Sequence, residues 1–310
     1  MVKPAPLVSG STLRVVAPAG PVPEDKLRLG AAELARLGYR PVWNPAVLAR
    51  EGYFAGAVAD RASDLRAALV EPDSAGVIAA RGGYGVGYLL EGLESLEPDR
   101  PKVVSGFSDL TLLHGFAWHR WSWVTFYGPM AAGAFAEGAG CPGGYDERSF
   151  RLAVTKTDGG WSVPLEASAM AEGEAEGVLL GGCLTLLRAL LGTPWEPDTA
   201  GSILLIEDCN MKPYQVDRGL MHLKLAGKLE DVRGILLGDF PGCDPPEEGG
   251  PVVSEVVARL LKPLGVPIVW GAPVGHTRRP LLTLPLGVRV RLVARGAGQL
   301  DVLEPAVAPA

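Results

Sequence analysis

The chain has 310 residues, 47% of them apolar and 21% charged, with 41 glycines and 27 prolines. That length holds two domains and that apolar share a sizeable core, which excludes global disorder, while glycine without a G-X-Y period excludes collagen. A formal charge of -6 with no Lys/Arg run argues against a nucleic-acid partner or a membrane surface.

Leu13 to Ala17 reads as a short strand ending in the turn Pro18-Ala19-Gly20-Pro21. A helix follows, with Leu27, Ala31 and Leu34 on one face and Gly38 as its stop. Pro41 to Trp43 is the next strand, and Asp60 is expected to cap a helix through Leu65 and Leu69 that Pro72 ends. Gly76 to Ala80 is an apolar strand running into Arg81-Gly82-Gly83-Tyr84-Gly85-Val86-Gly87. After another helical stretch, Lys102 to Gly106 is a strand entering Phe107-Ser108-Asp109. This alternation predicts a parallel sheet covered on both faces, with a site at the carboxyl ends of its strands.

From Ala131 to Gly177 the pattern weakens, with a strand-like patch at Trp161 to Val163, and a connecting region is expected. A second unit then follows. Leu184 to Leu191, Asp217 to Leu225 and Val252 to Leu261 read as helices. Ser202 to Ile206, Gly234 to Gly238 and Val266 to Trp270 read as strands, with Val288 to Val293 and Gln299 to Leu303 as closing strands. Met1 to Gly10 lacks the apolar stretch of a secretory signal. The best apolar run, Val178 to Leu191, is broken by Arg188 and is too short to span a membrane. Cys141, Cys183, Cys209 and Cys243 contain no C-x-x-C, so free thiols in a cytoplasmic protein are expected rather than a zinc site or a disulfide framework.

The segment from Val103 through Gly106 and Ser108 to His114 carries the strongest chemical signal. A strand meets a serine on a tight turn and an apolar helix begins at once, so backbone N–H groups and the positive end of the dipole face an oxyanion there. Leu110 takes the place of the second glycine of G-x-S-x-G, so the hydrolase motif is not matched, and Ser108 as a plain helix N-cap stays open. The glycine run fails the dinucleotide fingerprint by one position and lacks a Walker lysine. It suits an oxyanion hole beside Ser108, or an ordinary turn. A serine nucleophile needs a base oriented by a carboxylate. Among the four histidines, His114 and His119 are expected to pack, the latter among aromatics, and His222 to lie partly buried in a helix. His276 stands on a glycine-bounded loop after a strand, where chemistry is carried. Glu207 and Asp208 end an apolar strand, as a site carboxylate or as turn residues.

In order along nearly the whole chain come Val16-Ala17-Pro18-Ala19-Gly20-Pro21, Ala80-Arg81-Gly82-Gly83-Tyr84-Gly85, Gly106-Phe107-Ser108-Asp109 and Tyr127-Gly128-Pro129-Met130. Gly177 to Gly182, Leu190 to Pro194, Leu205 to Asp208 with Pro213-Tyr214 and Asp217-Arg218, Gly234 to Phe240, and Gly275-His276 with Thr283 to Gly287 follow. Together these blocks resemble the LD-carboxypeptidases, also called muramoyltetrapeptide carboxypeptidases, a family of serine peptidases. The resemblance implies an α/β fold with an N-terminal flavodoxin-like parallel-sheet domain and a second, C-terminal α/β domain. The expected division is 1–135 carrying the nucleophile, a connecting region at 136–176, and 177–310 carrying the Glu and His.

It implies a Ser108, Glu207, His276 triad, with an oxyanion hole from the Asp109 backbone N–H and that of Gly82 or Gly83. The implied substrate is a cytoplasmic muropeptide tetrapeptide, cut at an L-to-D bond to release D-alanine, by a homodimer that uses no metal or cofactor. Arg81 or Arg278 is expected to hold the terminal carboxylate, since a guanidinium binds that group bidentately. Two positions depart from the pattern: Met211, where the family often has an acid, and Cys183, where it commonly has asparagine. A related branch hydrolyses peptidyl- or aminoacyl-nucleotide antibiotics and confers self-immunity. A non-catalytic two-domain ligand-binding module is the alternative from another class.

Overall fold

A computed structural model describes residues 1–245 and 250–308. Five strands, β1 (Thr12–Val16), β2 (Arg40–Val42), β3 (Gly76–Ala79), β4 (Val103–Gly106) and β5 (Thr125–Tyr127), pair in parallel in the order 2-1-3-4-5. That is the flavodoxin-like order, whose ligand crevice lies at the carboxyl strand ends. β3 and β4 are buried at every residue, as expected of strands packed by helices on both faces.

Four helices make the crossovers: α1 (Glu24–Arg36), α2 (Val58–Val70), α3 (Gly87–Leu93) and α4 (Thr111–Trp121). Leu27, Ala31 and Leu34 line the buried face of α1. Asp60 is not the cap of α2. The helix starts at Val58 after Ala57, and Asp60 sits in the first turn, where its charge still opposes the dipole favourably.

The second unit is built on α5 (Ala134–Glu137), α6 (Glu147–Thr155), β6 (Trp161–Pro164), β7 (Ser168–Ala171), β8 (Gly173–Cys183), α7 (Leu184–Leu190) and β9 (Ser202–Glu207). It continues through α8 (Pro213–Leu225), β10 (Gly234–Leu237), α9 (Val253–Leu261), β11 (Ile268–Trp270), β12 (Leu284–Leu286), β13 (Arg289–Ala294) and β14 (Gln299–Val302). β8, β9, β10 and β11 run parallel, and β6, β14, β13 and β7 complete an eight-stranded sheet antiparallel to its neighbours. α8 begins a turn before Asp217, because Pro213 fits the first helical turn.

Two features bind the halves. Residues 136–176, expected as a connecting region, hold α6, the outer strands β6 and β7, and the start of β8; α6 buries Phe150, Ala153 and Val154. β12 comes from the far end of the chain and pairs antiparallel with β5, as the edge of the first sheet. Pro285 is tolerated there because an edge strand has one side without a ladder partner. One apolar core runs from Leu13 and Phe126 through Tyr127 to Leu205, Val274 and Leu284. Among the described residues no helix is long and apolar enough to cross a membrane.

Candidate active site

β4 delivers Ser108 in an unusual conformation. Phe107 is extended and Ser108 has φ 64°, in the left-handed region that costs a non-glycine residue about 1–3 kcal/mol when surroundings impose it. A short turn over Ser108–Leu110 then leads into α4. Phe107, not Ser108, occupies the cap position of that turn, and no side-chain cap bond forms. The serine is therefore held up by the turn rather than spent on capping.

The glycine segment packs against it. A Cβ on Gly82 would lie 2.9 Å from Ser108 Cβ and 3.1 Å from Ser108 Oγ, so only glycine lets this backbone approach the hydroxyl. Three anchors fix the segment. Gly20 N–H donates to the Gly82 carbonyl at 3.1 Å. The buried Arg61 donates from Nη1 to the Pro18 and Gly85 carbonyls at 2.5 and 2.9 Å. Asp109 Oδ2 accepts from the Val86 N–H at 2.8 Å, tying the nucleophile turn to the loop. Burial raises the Asp109 carboxyl, partly offset by the Val86 and Gly85 amides and by Arg61.

Glu207 ends β9 with no exposed surface. Its Oε2 accepts from His276 Nδ1 and from the His276 backbone N–H, each at 2.8 Å. Its Oε1 accepts from the Tyr127 hydroxyl at 2.5 Å, and that hydroxyl in turn accepts a long 3.4 Å bond from the Ser108 N–H. Burial and the Glu207 charge push the Tyr127 phenol well above its usual range, so it stays a donor. The loop from β11 can cross this carboxylate only because residue 275 is glycine: a Cβ there would sit 2.2 Å from Glu207 Cδ. The His276 imidazole is pulled down by burial, but the Glu207 carboxylate and the adjacent Cys209 thiol outweigh this and raise it above its ordinary value. With Nδ1–H committed to Glu207, Nε2 carries the lone pair of the neutral ring. Phe107 packs edge-on against the ring, with centroids 5.2 Å apart.

Glu207 and His276 are thus in direct contact. Ser108 reaches them through Phe107 and through Tyr127; no Ser108–His276 hydrogen bond forms among the described residues. A cavity of about 490 Å³ opens beside them, with His276, Phe107, Cys209, Asn210 and the exposed Arg278 in its wall. Arg81, also exposed, donates to the Pro21 carbonyl at 3.1 Å and lines a different cavity.

The remaining expectations divide. His114 is buried with Nε2 2.9 Å from the Gly106 carbonyl, and burial drives its pKa down to about 4. His119 is exposed rather than packed among aromatics, and His222 is exposed too, accepting from Arg188 Nε at 3.3 Å. Asp208 takes the Thr185 N–H and hydroxyl at 2.9 and 2.7 Å. Cys183 is buried with its N–H on Thr111 Oγ1, and Met211 Sδ lies 3.7 Å from Thr185 Oγ1; neither lines the cavity beside His276. All four cysteines are free. Sequence reasoning missed Tyr127, Arg61 and Cys209. Tyr127 ends the strand beside β4, a place that could have marked it; an arginine among the apolar residues of a helix's buried face is a weaker signal.

Known proteins give the same outline. A family model described as the LD-carboxypeptidase N-terminal domain matches residues 13–128, and one described as its C-terminal domain matches residues 176–292. The murein tetrapeptide carboxypeptidase of Pseudomonas aeruginosa is 32% identical, over 84% of this chain and 87% of its own. The structure of a muramoyltetrapeptide carboxypeptidase from Oxalobacter formigenes is 30% identical and superposes with a TM-score of 0.84, covering 97% of this chain and all of that one (100%). The microcin C7 self-immunity protein of Escherichia coli is 26% identical over 93% of this chain and 92% of its own. Two consecutive domain models and relatives spanning most of the chain leave one conclusion: this protein belongs to the LD-carboxypeptidase family.

Proposed function

We propose that the protein is a serine carboxypeptidase that cleaves the L-to-D bond of cytoplasmic muropeptide tetrapeptides and releases D-alanine. The observation that carries this reading is the Glu207–His276 pair, linked through Phe107 and Tyr127 to a serine held at positive φ against Gly82. A pure binding module has no use for that strain, which surrounding structure must sustain. The names of the Pseudomonas aeruginosa and Oxalobacter formigenes relatives favour a tetrapeptide substrate.

In this mechanism Ser108 Oγ bonds to the scissile carbonyl carbon while its proton passes to His276 Nε2. Glu207 holds the Nδ1–H tautomer and stabilises the imidazolium. The carbonyl electron pair moves onto oxygen, facing the N–H groups of Asp109 and of Gly82 or Gly83. Collapse breaks the carbon–nitrogen bond, and His276 gives its proton to the departing amine. Water then adds to the acyl-serine, its proton again taken by His276, and the Ser108 hydroxyl is restored. Arg278, in the wall of the His276 cavity, is the side chain assigned to the terminal carboxylate.

Incubation with a muropeptide tetrapeptide, with free D-alanine quantified, tests the reading. Wild type releases D-alanine, and Ser108→Ala loses at least about a thousandfold in rate. Equal release by the variant overturns the mechanism. An aminoacyl sulfamoyl nucleoside belongs in the same panel, because the microcin C7 self-immunity protein, seen in complex with glutamyl sulfamoyl guanosine, shares this fold with a TM-score of 0.87 at 23% identity. Exclusive cleavage of that compound transfers the function to the self-immunity branch.

A further inference from the structure

The left-handed φ of 64° at Ser108 is strain, and it persists only where neighbouring bonds over-determine the turn. Where the chain leaves the turn, Asp109 Oδ2 accepts from the Val86 N–H at 2.8 Å. Where it enters, the carbonyl of Gly106, the last residue of β4, accepts two bonds. One comes from the Gly128 N–H at a long 3.3 Å, the other from His114 Nε2 at 2.9 Å. His114 lies on α4, eight positions beyond Gly106, so its side chain reaches back across the turn and closes it.

That contact fixes the chemistry of the ring. A carbonyl only accepts, so Nε2 carries the hydrogen and donates. Burial keeps the imidazole neutral, which leaves Nδ1 without a hydrogen. Nδ1 is buried and has no partner among the described residues, so the Gly106 carbonyl is the one polar group of those residues that the side chain meets. The rest of the ring packs: Tyr127 lies against it, with centroids 5.8 Å apart and planes at 54°. Phenylalanine would supply the same packing. What histidine adds at this position is a single donor, held on the strand end that delivers the nucleophile.

We propose that His114 is a positioning residue for the nucleophile: its Nε2–H pins the end of β4, so that Phe107 and Ser108 are forced through the strained turn and the Ser108 hydroxyl stays where His276 can take its proton. The ring also backs Tyr127, whose hydroxyl meets both Glu207 and the Ser108 N–H, so one side chain braces both parts of the site. It touches neither substrate nor reacting atoms. Its link to catalysis rests on the hydrolase reading; its hold on the turn does not.

Two variants separate the donor from the ring. His114→Phe keeps the ring and removes the donor, whereas His114→Gln keeps an N–H donor near the position of Nε2. On a muropeptide tetrapeptide, His114→Phe is expected to lose about ten- to a hundredfold in kcat with KM within about twofold. Its Tm stays within about 4 °C of wild type, because Gly106 keeps the Gly128 N–H and one neutral hydrogen bond is lost. His114→Gln recovers most of that kcat. Amide exchange, which needs no turnover, rises in His114→Phe at Phe107 to Asp109 and stays at wild-type rates along α4. An unchanged kcat in His114→Phe, a His114→Gln protein no more active than it, or faster exchange throughout α4 overturns the assignment. If wild type hydrolyses no peptide yet exchange changes at Phe107 to Asp109 alone, His114 keeps its hold on the turn and the hydrolase function falls.

Discussion

A fully buried carboxylate is costly unless its oxygens are paired, and Glu207 spends both of its oxygens on three donors. Tyr127 takes Oε1, so Tyr127→Phe leaves a buried acceptor unmet, a loss of about 1–3 kcal/mol. Peptidase activity is expected to fall by about ten- to a hundredfold in kcat with a smaller change in KM, because the carboxylate that aligns His276 loses one anchor. An unchanged kcat would mean that Tyr127 only fills space. The pH profile follows from the other oxygen. Glu207 raises the His276 imidazole above its ordinary 6.5 although burial alone would lower it. The base must be neutral to accept the Ser108 proton, so kcat/KM rises with pH along a limb centred above pH 6.5. In Glu207→Gln the charge is gone while burial remains, so the limb moves to lower pH than in wild type. A wild-type limb at or below pH 6.5 contradicts this assignment.

At the scale of elements, the strand and helix assignments near the site were legible because the signals are local. The strand into Gly106, the strand into Glu207 and the glycine-bounded loop of His276 each show in an apolar run and its punctuation. What joins them was not legible, since the hydroxyl of Tyr127 reaches Glu207 across 80 positions of chain and the guanidinium of Arg61 reaches Pro18 and Gly85 across 43 and 24. Arg61 lies on α2, yet it fills the space between three carbonyls of three different loops, those of Pro18, Gly56 and Gly85. Arg61→Met therefore strands buried carbonyls and is expected to cost about 3 kcal/mol, with a matching drop in Tm. The freed glycine segment should show as faster amide exchange at Gly82 to Val86 and as a loss in kcat. Exchange confined to α2, with the glycine segment as protected as before, would refute its role as an anchor.

At the scale of the molecule, sequence patterns suggested two units with a connector, and the structure interleaves them. Small residues in Ser168–Ala171 and the three-residue length of Leu284–Leu286 gave little periodicity to read, yet these segments form β7 and β12. β12 puts the far end of the chain beside β5, and Leu284 lies with no exposed surface in a core that also holds Phe126, Leu179 and Leu205. Separate melting of the two sheets would expose this shared core and break the Tyr127–Glu207 bond. Unfolding in urea is therefore expected to be one cooperative transition, with near-UV signals from Trp118, Trp121 and Trp123 coinciding with backbone exchange in β9 and β10. Leu284→Ala sharpens the test. Removing this buried side chain costs about 2–5 kcal/mol, and because it sits where the two halves meet, both probes should shift to the same lower midpoint with an unchanged m-value. Two separated midpoints, or a shift confined to the tryptophan signal, would show that the first sheet can part from the second and that the core does not bind them into one folding unit.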